Sequence, residues 1–150
     1  MGITGLAAGA ATIGCCCQMV GFAVASYREN KVGGLVAQGI GTSMLQVPNI
    51  VKRPVIWLPP IISSAILGPV ASALLKMRST PVGSGMGTSG LVGQFAAYDT
   101  MVSSGTSIPV VMIEIIIMHF VLPAVLTLAI AEGMRKAGWI RKGDMAITVQ

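Results

Sequence analysis

Most side chains in this sequence that could hold a polar ligand lie in or beside one short string that occurs twice, GIGTSMLQ at 39–46 and GMGTSGLV at 85–92. Each copy joins glycines, among them Gly41 and Gly87, to a hydroxyl pair, Thr42 with Ser43 and Thr88 with Ser89. Where glycine breaks a helix, the freed amides and carbonyls add to those hydroxyls. Gln46, Asn49 and Gln94 follow at short range and carry donor and acceptor on one side chain, the equipment for a sugar or polyol. Glu114 and His119 stand apart as titratable candidates. Catalysis by this chain alone is not expected. It has a single histidine, no Ser, His and Asp set at recognisable spacing, no HExxH and no P-loop lysine, and its G-x-G pattern lacks a βαβ context. Neither a cofactor nor a metal is called for.

These groups must be positioned by elements suited to lipid. The chain is 53% apolar and 10% charged, against about 25% charged in an average soluble domain. Ten Lys and Arg cannot cover a globule of 150 residues, whereas a bilayer removes the need for a polar shell. The net charge of +5 does not indicate nucleic acid, because the basic residues form no face interleaved with aromatics. Arg28, Lys31, Lys52, Arg53, Lys76, Arg78 and the group from Arg135 to Lys142 flank apolar runs, where such side chains anchor helix ends. Cys15, Cys16 and Cys17 are consecutive within an apolar run, which suits helix packing and neither a disulfide framework nor a spaced metal motif.

The pattern predicts an all-α integral membrane fold in one domain. About three full transmembrane helices are expected, at 2–27, 54–75 and 108–131, with two Gly-rich re-entrant or broken-helix elements at 32–51 and 79–94. A short helix at 91–102 and a basic tail at 132–150 complete the reading. The first span, with its Gly5-xxx-Gly9 pair, should be buried among other helices. Residues 32–51 hold four glycines, Pro48 and Asn49, so a helix should enter to about Gln38, break at the GTS string and return. Because one span separates the two copies, they should enter from opposite faces. Eight basic residues then lie on one side and Lys76 with Arg78 on the other, which places the tail in the cytoplasm.

Two prolines should kink their spans, Pro69 in the second and Pro123 in the third, each removing a backbone donor. A carboxylate in mid-span costs roughly 2.5 to 3.5 kcal/mol on the insertion scale, so Glu114 is a functional candidate. Five residues separate it from His119, about 140° on a regular helix, so the two should serve different neighbours. Asp99 is either a pathway residue or an interfacial charge.

The strings GIGTSMLQVPNIVKRPVIWLPPIISSAILGPV (39–70) and PVGSGMGTSGLVGQ (81–94) resemble the C-terminal half of bacterial membrane proteins classed with sugar-specific IIC components of the phosphotransferase system, a group that includes regulators of the perfringolysin toxin. The resemblance implies a multi-pass protein of the bacterial inner membrane whose other half lies outside this chain, and sugar translocation or sensing. It carries over the GTS loops as substrate contacts. Glu114 and His119 are similar in type to the glutamate and histidine that better-known IIC components use around the sugar. The leading expectation is a transport domain that binds a polar solute between the loops near the bilayer midplane, working as a homo-oligomer or with a partner half. The alternatives are a channel with a re-entrant filter and a membrane sensor whose basic tail engages a partner or anionic lipid.

Overall fold

The computed structural model describes residues 4–147, and among them every regular element is helical. In chain order the helices are α1 (Gly5–Ala25), α2 (Tyr27–Val36), α3 (Val47–Lys52), α4 (Leu58–Pro69), α5 (Pro81–Met86), α6 (Val92–Ser103), α7 (Ile108–Ile115) and α8 (Leu122–Lys136). Three rods are long and apolar enough to cross a membrane: α1, the continuous helical stretch Pro54–Leu74 around α4, and the stretch Ile108–Lys136 that joins α7 to α8. At 1.5 Å per residue the 21-residue α1 is about 31 Å long, matching a hydrocarbon core of about 30 Å. Membrane-length helices therefore lie over the three expected ranges, the first helix ending at Ala25 and the third running on to Lys136. Residues 2 and 3 of the expected first span and 148–150 of the expected tail lie outside the described residues.

The rods run up, down and up. Antiparallel packing of α1 and α4 follows from Gly14 facing Ser64, Gly68 facing the Ala10 carbonyl, and Trp57 Nε1 donating to Gln18 Oε1 at 3.0 Å. α8 runs parallel to α1, with Thr127 against Gly21 and Arg135 Nη2 donating to Ala25 O at 2.8 Å. Thr127 Oγ1 also donates to Ser63 Oγ at 2.9 Å and ties α8 to α4. α1 is the central rod, 61% buried against 39% and 33% for the other two. Its small residues explain this, since lipid supplies no hydrophobic drive and close backbone approach must supply the contact instead. A Cβ at Gly9 would overlap the Met77 carbonyl, and one at Gly21 would sit 2.8 Å from Thr127 Oγ1.

Both prolines distort their rods as wide turns. Val70–Leu74, directly after Pro69, and Ile116–Val121, directly before α8 and Pro123, wind as π-helix. A wide turn absorbs the missing donor and the bulk of the ring without ending the helix.

The charged ends are separate. Arg28 pairs with Glu132 at 3.1 Å, Arg53 with Asp144 at 3.4 Å and Arg135 with Glu29 at 3.5 Å, all at the C-terminal end of α1. Lys76 and Arg78 lie at its N-terminal end, where Ser79 N donates to Gly5 O at 3.3 Å. The tail does not extend freely. Residues 140–147 fold back so that Ile140 and Met145 are buried with Phe22, Ala25, Ile56 and Ala131. Glu29 accepts from Met145 N at 2.8 Å, and Asn30 Oδ1 from Ile147 N at 2.7 Å.

Candidate functional site

The first GTS string sits where a helix comes apart. α2 continues as a π turn, Ala37–Gly41, and Thr42 is extended (φ −156, ψ 137). The Thr42 hydroxyl accepts from Met44 N at 3.1 Å and starts a 3-10 turn, Ser43–Gln46, that leads into α3. The break thus falls at Gly41–Thr42, with helical turns reaching slightly past the expected Gln38. Both limbs end at the basic end of the molecule, at Arg28 and at Arg53.

The second string breaks differently. Thr80 Oγ1 accepts from Gly83 N at 3.2 Å and caps α5, a helix that the glycine-rich sequence of 79–94 concealed. α5 stops at Gly87, whose φ of +55 suits a residue without Cβ. A tight turn then passes through Gly90 (φ +53) and Leu91 (φ +60) into α6. Leu91 is a strained non-glycine position of the kind that clusters at functional sites. The limbs of this element return to the Lys76 end, where Ser104 and Thr106 line one small cavity with Lys76 and Arg78.

The tips of the two breaks touch each other. Thr88 Oγ1 donates to Gly39 O at 2.5 Å and Ser89 Oγ to Gly41 O at 2.9 Å. The meeting lies along the C-terminal half of α1: Gly87 packs on Cys15, with a Cβ there only 2.6 Å from the Cys15 Cβ, and Gly39 faces Ala23. Next to it opens a cavity of about 530 Å³ whose lining includes Gln18, Thr42, Ser43, Ser64, Ser84 and Ser89. Gly41 and Gly85 reach the same cavity and nothing lies within 4 Å of where their side chains would be, so the backbone itself is presented there. The arrangement offers hydroxyls, an amide and bare peptide groups in a largely apolar setting, a surface suited to a neutral ligand with many hydroxyls.

The other candidate residues lie elsewhere. Gln46 is buried and donates to Gln38 Oε1 and to Met145 O, both at 2.9 Å, and Asn49 Nδ2 donates to Gln46 Oε1 and to Ala146 O, also at 2.9 Å. Both amides hold the C-terminal segment against the first break. Thr88 is fully buried by its bond to Gly39. Gln94 and His119 form a buried pair behind α1, with Gln94 Nε2 2.9 Å from His119 Nδ1 and 3.6 Å from Cys16 Sγ. Glu114 lines the cavity at the Lys76 end. Glu114 and His119 therefore have different neighbours, as the spacing predicts. Asp99 is exposed beside Phe95 and Tyr98 on an apolar groove between α6 and α7.

Gln18, Ser64 and Ser84 line the cavity and were missed. The signal for Gln18 was present, as an amide within a span made otherwise of small and apolar residues. Ser64 and Ser84 carried none, since a helical serine commonly returns its hydroxyl to its own helix: here Ser64 donates to Ile61 O and Ser84 to Pro81 O.

The contact between the tips has a measurable consequence. Thr88→Val is expected to destabilise the protein by about 1–3 kcal/mol, because the buried Gly39 carbonyl loses its donor. Thr88→Ser should restore most of it in a thermal melt, whereas an unchanged melting temperature for the valine variant would show that the bond contributes nothing.

In comparison with known families the chain matches the family described as Phosphotransferase system, EIIC, over residues 1–147. No curated protein and no solved structure matches. The family match takes in both GTS strings and all three membrane-length rods, and the chain therefore belongs to the phosphotransferase system EIIC family of membrane proteins.

Proposed function

We propose that this chain is a sugar-transport domain that holds a sugar or polyol in the cavity between its two GTS breaks. The observation that carries the reading is that the two copies meet, Thr88 and Ser89 on Gly39 and Gly41, beside a hydroxyl-lined cavity at mid-height of the central rod. The two broken elements act as re-entrant hairpins from opposite faces. In support, the limbs of the first end among Arg28, Arg53 and Asp144, and those of the second end near Lys76 and Ser104. Gly41, Thr42, Ser43 and Ser89 contact the solute, with Gln18, Ser64 and Ser84 completing the ring. Access alternates by rocking at the wide turns beside Pro69 and Pro123. By the positive-inside rule the basic end and the C-terminus face the cytoplasm of a bacterial cell. The chain works as a homo-oligomer or with a partner half, because three rods alone enclose no pathway.

Binding by purified protein in lipid nanodiscs tests the site with a panel of hexoses and hexitols as probes. Ser43→Ala and Ser64→Ala should each weaken the best ligand roughly 2- to 10-fold, the loss of one hydrogen bond of about 0.5–1.5 kcal/mol. Ser89→Ala should cost more, since it also frees the Gly41 carbonyl. Unchanged affinity in all three variants would remove the site.

A further inference from the structure

The end of the molecule away from the basic cluster holds three charges without partners. Among the described residues the ion pairs join Arg28, Arg53 and Arg135 to Glu29, Glu132 and Asp144, and none involves Lys76, Arg78 or Glu114. Yet these last three line one cavity of about 180 Å³ with Ser104, Thr106, Leu75 and Met101. Glu114 Oε2 is shut off from solvent there and has no hydrogen-bond partner among the described residues. A buried carboxylate oxygen without a partner is costly, and two nearby cations that leave it unpaired leave room for a third party.

The backbone sets this arrangement at a cost. Lys76 has a φ of +51, unusual for a residue with a side chain, while Met77 N donates to Ala71 O at 2.9 Å and the Met77 carbonyl packs on Gly9. The strained turn closes the second rod and brings Lys76 and Arg78 to the cavity that α6 and α7 complete. Such strain is characteristic of binding positions.

The charges select the ligand. A simple anion would satisfy Lys76 and Arg78 but face Glu114, and a simple cation would meet the reverse conflict. A group with a negative and a positive pole a few atoms apart satisfies all three. Ser104 already donates to Thr100 O at 2.7 Å, so its oxygen remains an acceptor for an N–H. The cavity has about six times the roughly 30 Å³ share of one water in the liquid, enough for a group of this kind. It lies at the end of a membrane-length rod, next to the exposed Leu74, and the exposed Val110 and Ile117 stand one turn to either side of Glu114 on its helical rod, so a chain-bearing ligand has apolar side chains to lie on.

We propose that this cavity binds the headgroup of a phospholipid that carries a primary ammonium, as in phosphatidylethanolamine, with phosphate on Lys76 and Arg78 and ammonium on Glu114. The pairing joins a lipid of the leaflet opposite the basic end to the turn between the second rod and α5, which leads into the second GTS break. The site is independent of the sugar cavity and stands whether or not that reading holds.

Native mass spectrometry of the full chain, released from nanodiscs of equal parts phosphatidylethanolamine, phosphatidylglycerol and phosphatidylcholine, tests it. The expected result is retention of the ethanolamine lipid about ten-fold above the choline lipid, whose quaternary ammonium has no N–H for Glu114, in line with a hydrogen bond to a charged group. Glu114→Gln should abolish that preference without weakening retention of the glycerol lipid, whose anionic headgroup no longer faces a carboxylate. The double variant Lys76→Ala and Arg78→Ala should reduce retention of both the ethanolamine and the glycerol lipid. Soluble phosphoethanolamine added to delipidated protein separates the sources: binding there with no lipid preference assigns the same chemistry to a free ligand. Equal retention of ethanolamine and choline lipids by the wild-type chain, or an undiminished preference in the glutamine variant with matched melting temperature, overturns the proposal.

Discussion

Glu29→Ala is expected to lower stability by about 3 kcal/mol, the lower end of the range for breaking a buried ion pair. Glu29 and Arg135 have side chains only 6% and 12% exposed. One carboxylate oxygen of Glu29 lies 3.5 Å from Arg135 Nη2 and accepts from Gly143 N at 3.2 Å, while the other accepts from Met145 N at 2.8 Å. Alanine removes all three interactions at once. Arg135 keeps Glu132 at 3.0 Å and the Ala25 carbonyl, which holds the cost below the upper limit. The two backbone donors keep nothing comparable, so residues 140–147 should detach and uncover the cluster of Phe22, Ile56 and Met145. Detachment would also release the carbonyls that Gln46 and Asn49 hold, and so loosen the first GTS break. Thermal unfolding in detergent checks the stability, and hydrogen exchange at residues 143–147 checks the mechanism. Glu29→Gln, which keeps an acceptor but no charge, should recover part of the loss. Wild-type melting and wild-type exchange in the alanine variant would mean that this carboxylate does not hold the segment.

Gly93→Val is the second large effect. Gly93 N donates to Gly87 O at 2.9 Å, so the start of α6 lies directly on the second break. A Cβ at Gly93 would overlap the Gly87 carbonyl and sit 3.0 Å from Thr12 Cγ2 on α1. The first obstacle is backbone and cannot rotate away, so even alanine must push α6 outward. Overpacking of this kind costs about 1–3 kcal/mol for small additions, and the two further methyls of valine take the effect beyond that range. The break is also the element that carries Thr88 and Ser89 to the first GTS string, so displacement should abolish solute binding together with stability. Gly133→Ala provides the control. No atom lies within 4 Å of its would-be Cβ in α8, and replacing glycine inside a helix should stabilise by up to about 1 kcal/mol. If Gly93→Val melts and binds as the wild type does, the close approach of α6 to the break is wrong.

The helical class and the three rods were legible because they follow from local quantities. A run of some twenty apolar residues bounded by Lys or Arg has one stable solution in lipid, whatever its neighbours do. The breaks were legible for a similar reason, since each falls within its own Gly-Thr-Ser string, at the extended Thr42 after Gly41 and at the positive φ of Gly87. Helix α5 was not, because apart from its local Thr80 cap its packing contacts, Gly83 with Ala96 and Gly87 with Cys15, join residues whose proximity the sequence order does not reveal. How the basic tail packs was hidden on the same account: Ile140 and Met145 find buried places, and Glu29, Asn30, Gln46 and Asn49 bond to its backbone.

Among the candidate ligand contacts, the sequence alone determined which polar groups are available and that they are flanked by runs apolar enough for a membrane. Residue type and hydropathy are properties of each position and its near neighbours, and so survive without coordinates. Only the tertiary structure decided which of those groups remain open to a ligand. Thr88, Gln46, Asn49 and Gln94 carry hydrogen-bonding groups as Ser43 does, but theirs are taken up by protein partners as far away in sequence as Met145 is from Gln46. A polar side chain in an apolar medium bonds to whichever partner packing brings within 3 Å, and that choice belongs to the arrangement of the rods.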